Sequence, residues 1–220
     1  MNKTTLLESL RKHHKPTYEH SLRVAEYSGE IANLENKIES NFLKPDCYIT
    51  TDITQISKDV LSLISTNMKI VPDGLLSLLR VSSAYEGGLY HDIGKLSVDS
   101  SLLNLTEVNK KQYEEIKKHA KYGYDLLINR EPYLACVAGK HHPDYAVEQW
   151  PEKSSSKARK IMSKYISIVT FSDFFDALMT RNNSAYKVDR QNKAEVFTML
   201  KEYFPEQEGW MEEVWKIEKQ

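Results

Sequence analysis

The chain is poor in the residues that mark several other classes of protein. It has two cysteines in 220 residues, Cys47 and Cys136, which excludes a disulfide framework and fits a reducing compartment. It has no excess of either charge. Lys and Arg number 30 against 31 Asp and Glu, a formal net charge of -1. A general nucleic-acid coat or a polybasic membrane binder relies on a basic excess, so neither is expected. No apolar run approaches the ~20 residues needed to cross a bilayer. The first fifteen residues are polar and carry Glu8, so they lack the apolar centre of a signal peptide. The expected location is cytoplasmic. Seven Pro and eight Gly are few for a chain rich in Leu, Lys, Glu and Ser. With helix breakers rare and strand signals scarce, the fold class is all-α.

What is present is a string of helical patterns. The spacing predicts a helix over 17–36, opening after Pro16, with Tyr18, Leu22, Ala25 and Ala32 on one face. A second is predicted over 52–65 on Ile53, Ile56, Val60 and Ile64. A third runs over 73–90, with Gly87 and Gly88 weakening its end. Residues 97–105 read as loop, and Thr106 is placed as the cap of a helix reaching about residue 118. Helices over 122–129 and 132–142 follow, the latter with Pro132 at its start, where a missing N–H costs nothing. After a loop over 142–156, a long helix over 157–180 carries Ile161, Tyr165, Ile168, Phe171, Phe175 and Leu178 as its buried stripe. Helices over 192–204 and 210–218 close the chain. No repeat or linker divides it. One domain over 1–220 is expected, with an inserted segment at 37–72 and a C-terminal helical extension at 190–220.

Five of the seven histidines occupy suggestive places: His20, His91, His119, His141 and His142. A single helical histidine is usually a satisfied polar residue; the set is what carries chemistry. His91 is followed directly by Asp92, which puts an imidazole and a two-oxygen carboxylate at one point on the backbone, and that carboxylate can bridge two ions. Asp173 lies within an apolar helix between Phe171, Phe174 and Phe175. A carboxylate there must be paired, hydrogen-bonded, protonated or metal-bound. Asp176, three positions on, shares roughly the same face and competes for the role. His13 and His14, in the basic stretch 11–15, read as a solvated helix end.

The order His, His-Asp, His, His-His, Asp resembles that of the HD phosphohydrolase superfamily. The closer likeness is to its HD-GYP branch, all-helical proteins that hydrolyse cyclic dinucleotides, cyclic di-GMP above all. The matching stretches are Glu19-His-Ser-Leu-Arg-Val24, Tyr90-His-Asp-Ile-Gly-Lys95, Leu105-Thr-Glu107, His119-Ala-Lys-Tyr-Gly123, His141-His142 and Asp173-Phe-Phe-Asp-Ala-Leu178. The branch's His-His-Glu and Gly-Tyr-Pro elements are altered. Pro143 stands for the Glu, Gln149 for the Gly and Trp150 for the Tyr, while Pro151 is kept. A Glu that provides a third metal in some members is replaced by Pro16, which favours two metals over three.

The resemblance implies a helical bundle with a metal site in its core. His20, His91, Asp92 and Asp173 would bind one divalent ion. Asp92, His119 and His141 would bind a second, with His142 completing it or lying just outside. Imidazole with carboxylate suits Fe or Mn, with Ni or Zn as alternatives. Asp92 and Lys95 are the catalytic candidates, Lys95 as a clamp on phosphate. Arg181 and Lys187 are candidate phosphate contacts, and Trp150 could stack on a base. The implied partner is a small nucleotide, hydrolysed at a phosphodiester of cyclic di-GMP type. A broader nucleotide phosphohydrolase and a catalytically silent binding domain are the alternatives. Oligomeric state is not legible.

Overall fold

In the computed structural model, which describes residues 2–40, 73–152, 154–180 and 189–219, every regular element is helical. The predicted helix over 52–65 lies outside the described residues, as do Arg181 and Lys187. In chain order the α-helices are α1 (Lys3–His13), α2 (Lys15–Ser40), α3 (Asp73–Tyr90), α4 (Ser100–Leu103) and α5 (Lys110–Lys117). After them come α6 (His119–Leu127), α7 (Pro132–Lys140), α8 (Ser156–Thr180), α9 (Lys193–Tyr203) and α10 (Glu208–Glu218). Short 3₁₀ turns occupy Ile93–Ser97 and Pro143–Tyr145.

Several expectations shift. Residues 97–105 contain α4, whose Asp99 cap accepts a bond from the Ser101 amide. Thr106 is not the cap of α5. Asn109 is, and it forms a capping box with Gln112, the side chain of each accepting from the other's backbone N–H. Since α5 ends one residue before the Lys118–His119 junction, this cap sets where His119 falls. Asn109→Ala should cost about 1 kcal/mol, lowering the melting temperature by roughly 2–4 °C in a chain of this size. A melt unchanged within 1 °C would show that the cap contributes nothing.

Three apolar clusters hold the bundle. The largest joins Tyr27 and Ile31 of α2, Phe171 and Phe175 of α8, Leu200 of α9 and Met211 of α10. The last two helices are therefore part of the core that carries α2 and α8. A second cluster joins Leu6 and Leu10 of α1 with Ile93, Leu127 and Leu134. A third sets Val24 against Val137 and Val169. The buried face of α2 runs through His20, Val24, Tyr27 and Ile31, at helical spacing. Of the face predicted on Tyr18, Leu22, Ala25 and Ala32, the two alanines are buried while Tyr18 and Leu22 are only partly so. On α8 the predicted stripe holds from Ile168 onward, but Ile161 is half exposed, because the first turns of α8 extend past the core.

Gly88 explains the glycine pair that the sequence reads only as a weak helix end. A Cβ there would lie 2.7 Å from Ala25 Cα and 2.8 Å from Val24 O. The absent side chain lets α3 cross α2 in near contact, bringing His91 up to His20.

α1 is a packed helix, not a solvated end. Lys3 bridges to Glu86 of α3 at 3.0 Å, and His13 Nε2 lies 2.9 Å from the Val98 carbonyl. His14 Nδ1 meets Thr17 Oγ1 at 2.7 Å.

Candidate metal centre

Local geometry orients three of the candidate histidines within their own segments. The last carbonyls of a helix have no partner within it. Three histidines at helix ends each use one. His91 Nδ1 lies 2.6 Å from the Gly88 carbonyl, His119 Nδ1 2.7 Å from that of Ile116, and His141 Nδ1 2.9 Å from that of Ala138. Each bond reaches back three residues. A ring whose Nδ1–H donates to a carbonyl carries its lone pair on Nε2. All three Nε2 atoms thus point away from their own helix and into the bundle.

There they meet two carboxylates. Asp92 Oδ1 is 3.2 Å from His119 Nε2 and 3.9 Å from His141 Nε2. Asp92 Oδ2 is 3.5 Å from His91 Nε2 and 3.7 Å from His20 Nε2. The two oxygens of one carboxylate therefore face two different groups. Asp173 Oδ1 is 3.0 Å from His20 Nε2 and 3.8 Å from His91 Nε2. Ligand atoms of Asp92, His119, His141 and His142 lie within 4.8 Å of one another, and so do those of His20, His91 and Asp173. All seven residues named from the sequence come together.

Burial and charge follow. His91, Asp92, His119 and His141 are essentially inaccessible. His142 is the most open member, its side chain 27 % exposed, with Tyr145 tilted against it at 4.7 Å. Burial alone would raise the Asp92 pKa, but the charge of Lys95 beside it overcomes this and holds the carboxyl well below its usual range. Asp173 is likewise kept low against burial, chiefly by its hydrogen bond to His20. Burial pushes His119 down to about 3 and drives His141 well below its ordinary value. Those rings are neutral donors at neutral pH. His20 moves upward in spite of burial, through its hydrogen bonds to Asp173 and Asp176.

Two observations test whether the set fits divalent cations. Asp92 Oδ1 is buried with no hydrogen-bond partner among the described residues. Such an atom is costly unless something positive meets it. Second, His91 Nε2 lies 3.2 Å from His20 Nε2, and His119 Nε2 lies 3.4 Å from His141 Nε2. With Nδ1–H committed to a carbonyl, both rings of the His119–His141 pair turn a bare lone pair toward the other. A cation between them resolves the repulsion. The donor set fits, and it contains no thiolate.

Asp176 does not compete with Asp173. Its Oδ2 takes the other nitrogen of His20, Nδ1, at 2.6 Å, and its Oδ1 accepts from Arg23 Nε at 2.6 Å. Lys95 Nζ lies 2.5 Å from Asp92 Oδ2, its side chain 12 % exposed, so it is not a solvated lysine. Trp150 has Lys140 and Arg159 near its ring, at 4.6 and 5.9 Å, and packs on the Val24–Val137 cluster rather than on the histidine–aspartate set. Sequence reading passed over Arg23. The signal was its place three residues after His20, on the same side of α2.

No described helix is long and apolar enough to cross a membrane. Compared with known proteins, the chain matches the family model of the HD domain over residues 17–178. That span holds all seven clustered histidines and aspartates and leaves out α1, α9 and α10. Neither the curated proteins nor the solved structures return a significant match.

Proposed function

We propose, from the premise that this chain belongs to the HD domain family, that it is a metal-dependent phosphodiesterase opening a cyclic dinucleotide to a linear dinucleotide or mononucleotides. HD domains are in general metal-dependent phosphohydrolases. The finer reading draws on the HD-GYP-like run of motifs. One observation carries it: two adjoining ligand groups share Asp92, one oxygen toward each.

His20, His91, Asp173 and Asp92 Oδ2 would hold one ion; Asp92 Oδ1, His119, His141 and His142 would hold the other. Two divalent cations there would neutralise an anionic diester and lower the pKa of water between them. Fe or Mn suits the donors best. The remaining work falls to the chain. Lys95 fixes Asp92 and keeps a positive charge beside the place a phosphoryl oxygen would take. Burial of His91, Asp92 and His141 excludes bulk water from the inner side, so substrate would enter past His142 and Tyr145. Tyr145 offers a ring face for stacking a base, which tolerates any base. Arg181 and Lys187 are proposed to reach the substrate phosphates.

The place of Trp150 favours a second reading, a broader nucleotide phosphohydrolase. Trp150 is already engaged by Lys140, Arg159 and the Val24–Val137 cluster, in the segment where the branch carries Gly-Tyr-Pro. Turnover on a panel decides between them. The chain, supplied with Mn or Fe, is given cyclic dinucleotides, linear dinucleotides and nucleoside monophosphates. A linear product from a cyclic diester is the expected result. Cleavage of monophosphates alone selects the broader reading. Metal binding without turnover of any substrate leaves a binding domain and overturns both.

A further inference from the structure

We infer that Asp176, locked in place by Arg23, is a positioning residue that sets metal affinity at the His20–His91–Asp173 group while touching no ion itself. The inference rests on the metal reading above. The three helix-end histidines orient themselves through their own backbone. His20 cannot, because it sits inside α2, where the carbonyls are already used by the helix. Its Nδ1 instead reaches α8, where Asp176 Oδ2 lies 2.6 Å away. Asp176 is fully buried and is itself fixed from two sides. Arg23 grips both oxygens, Nε to Oδ1 at 2.6 Å and a terminal nitrogen to Oδ2 at 3.1 Å. Thr180 Oγ1 adds a contact to Oδ2 at 3.3 Å.

With Nδ1–H held by Asp176, an ion entering between His20 and Asp173 would displace only the Nε2 proton shared with Asp173 at 3.0 Å, and would find the Nε2 lone pair already aimed at it. An amide cannot replace the carboxylate. If its oxygen faced His20, its NH₂ would oppose Arg23 Nε–H, donor against donor; turned over, it would oppose the His20 Nδ1–H. The same logic separates Arg23 from an ordinary surface cation. Its side chain is 38 % exposed, yet its fork matches a carboxylate in a way that a lysine ammonium does not.

Asp176→Asn should therefore weaken one metal site and spare the other. The measurement is calorimetric titration with Mn²⁺ alone, made in two backgrounds. With His119→Ala, only the His20 group remains, and Asp176→Asn should reduce its affinity by ~10–100-fold. With His20→Ala, only the Asp92–His119–His141 group remains, and Asp176→Asn should change its affinity less than twofold. Equal loss in both backgrounds would mean a general effect on folding and would overturn the inference. So would no loss in either. Arg23→Gln keeps the His20–Asp176 bond and should give a smaller loss confined to the same background. Arg23→Lys should fall between Arg23→Gln and the parent. This pair is read instead if Asp176→Asn does not fold, and an Arg23→Gln titration matching its parent then refutes the proposal. If the unmodified chain takes up no Mn²⁺, the metal reading itself has failed, a result distinct from all of these.

Discussion

Asp92→Ala should abolish hydrolysis and empty both metal groups while leaving the helical signal in place. No other side chain in the set serves both groups. Its removal takes Oδ2 from His20 and His91 and Oδ1 from His119 and His141 in one change. It also leaves Lys95 without the partner that lies 2.5 Å away. Groups that act as a unit lose their effect together, so the fall in turnover should be roughly 10³-fold or more. Metal content after loading and dialysis should fall from about two ions per chain toward none. Asp92→Asn keeps the shape but not the charge, and should be nearly as inactive. Circular dichroism checks that the helices persist, since they are held by the three apolar clusters and not by Asp92. Full activity in either variant would refute the shared-carboxylate reading.

Gly94→Ala should have the largest effect on stability of any single methyl added near the centre. The turn Ile93–Ser97 passes directly over the start of α6. A Cβ at Gly94 would fall 1.9 Å from the His119 carbonyl oxygen and 2.4 Å from the Gly123 amide nitrogen. Both are backbone atoms, so no rotamer change relieves the overlap. Overpacking usually costs 1–3 kcal/mol, and this site should reach or pass the upper end, at least ~3 kcal/mol. The melting temperature should drop by roughly 6–12 °C. Because the displaced atom belongs to His119, ions should be lost from the Asp92–His119–His141 group first. A melt within 2 °C of the parent, with full metal content, would show that α6 can move aside freely.

The same residues mark how far sequence reading could go. Helix periodicity located α3, α7, α8, α9 and α10 to within a few residues, because each buries a face of regular spacing. The seven clustered histidines and aspartates stood out because their order along the chain is unusual, and the HD match over 17–178 spans that order. Asp173 and Asp176 could not be told apart. They have the same chemistry on the same face of α8, and what separates them is Arg23, brought from α2 by a helix crossing that no local pattern encodes. His13 looked solvated because its partner, the Val98 carbonyl, is 85 residues away and arrives only through tertiary folding, whereas the His14–Thr17 contact is local and was missed. Gly88 was read as a propensity defect, whereas its value lies in the partner helix it admits. Trp150 was named as a ring that could stack on a base, and its cation neighbours Lys140 and Arg159 come from two other segments that its own stretch does not reveal.

The three backbone-tethered imidazoles have a consequence for which ion the protein can keep. A ring pinned by its own helix cannot swing to follow its guest, so the cage has little give. Ions that tolerate a tight, imidazole-rich shell should be retained. Large, oxygen-loving ones such as calcium should be turned away by size and hardness before charge is ever compared.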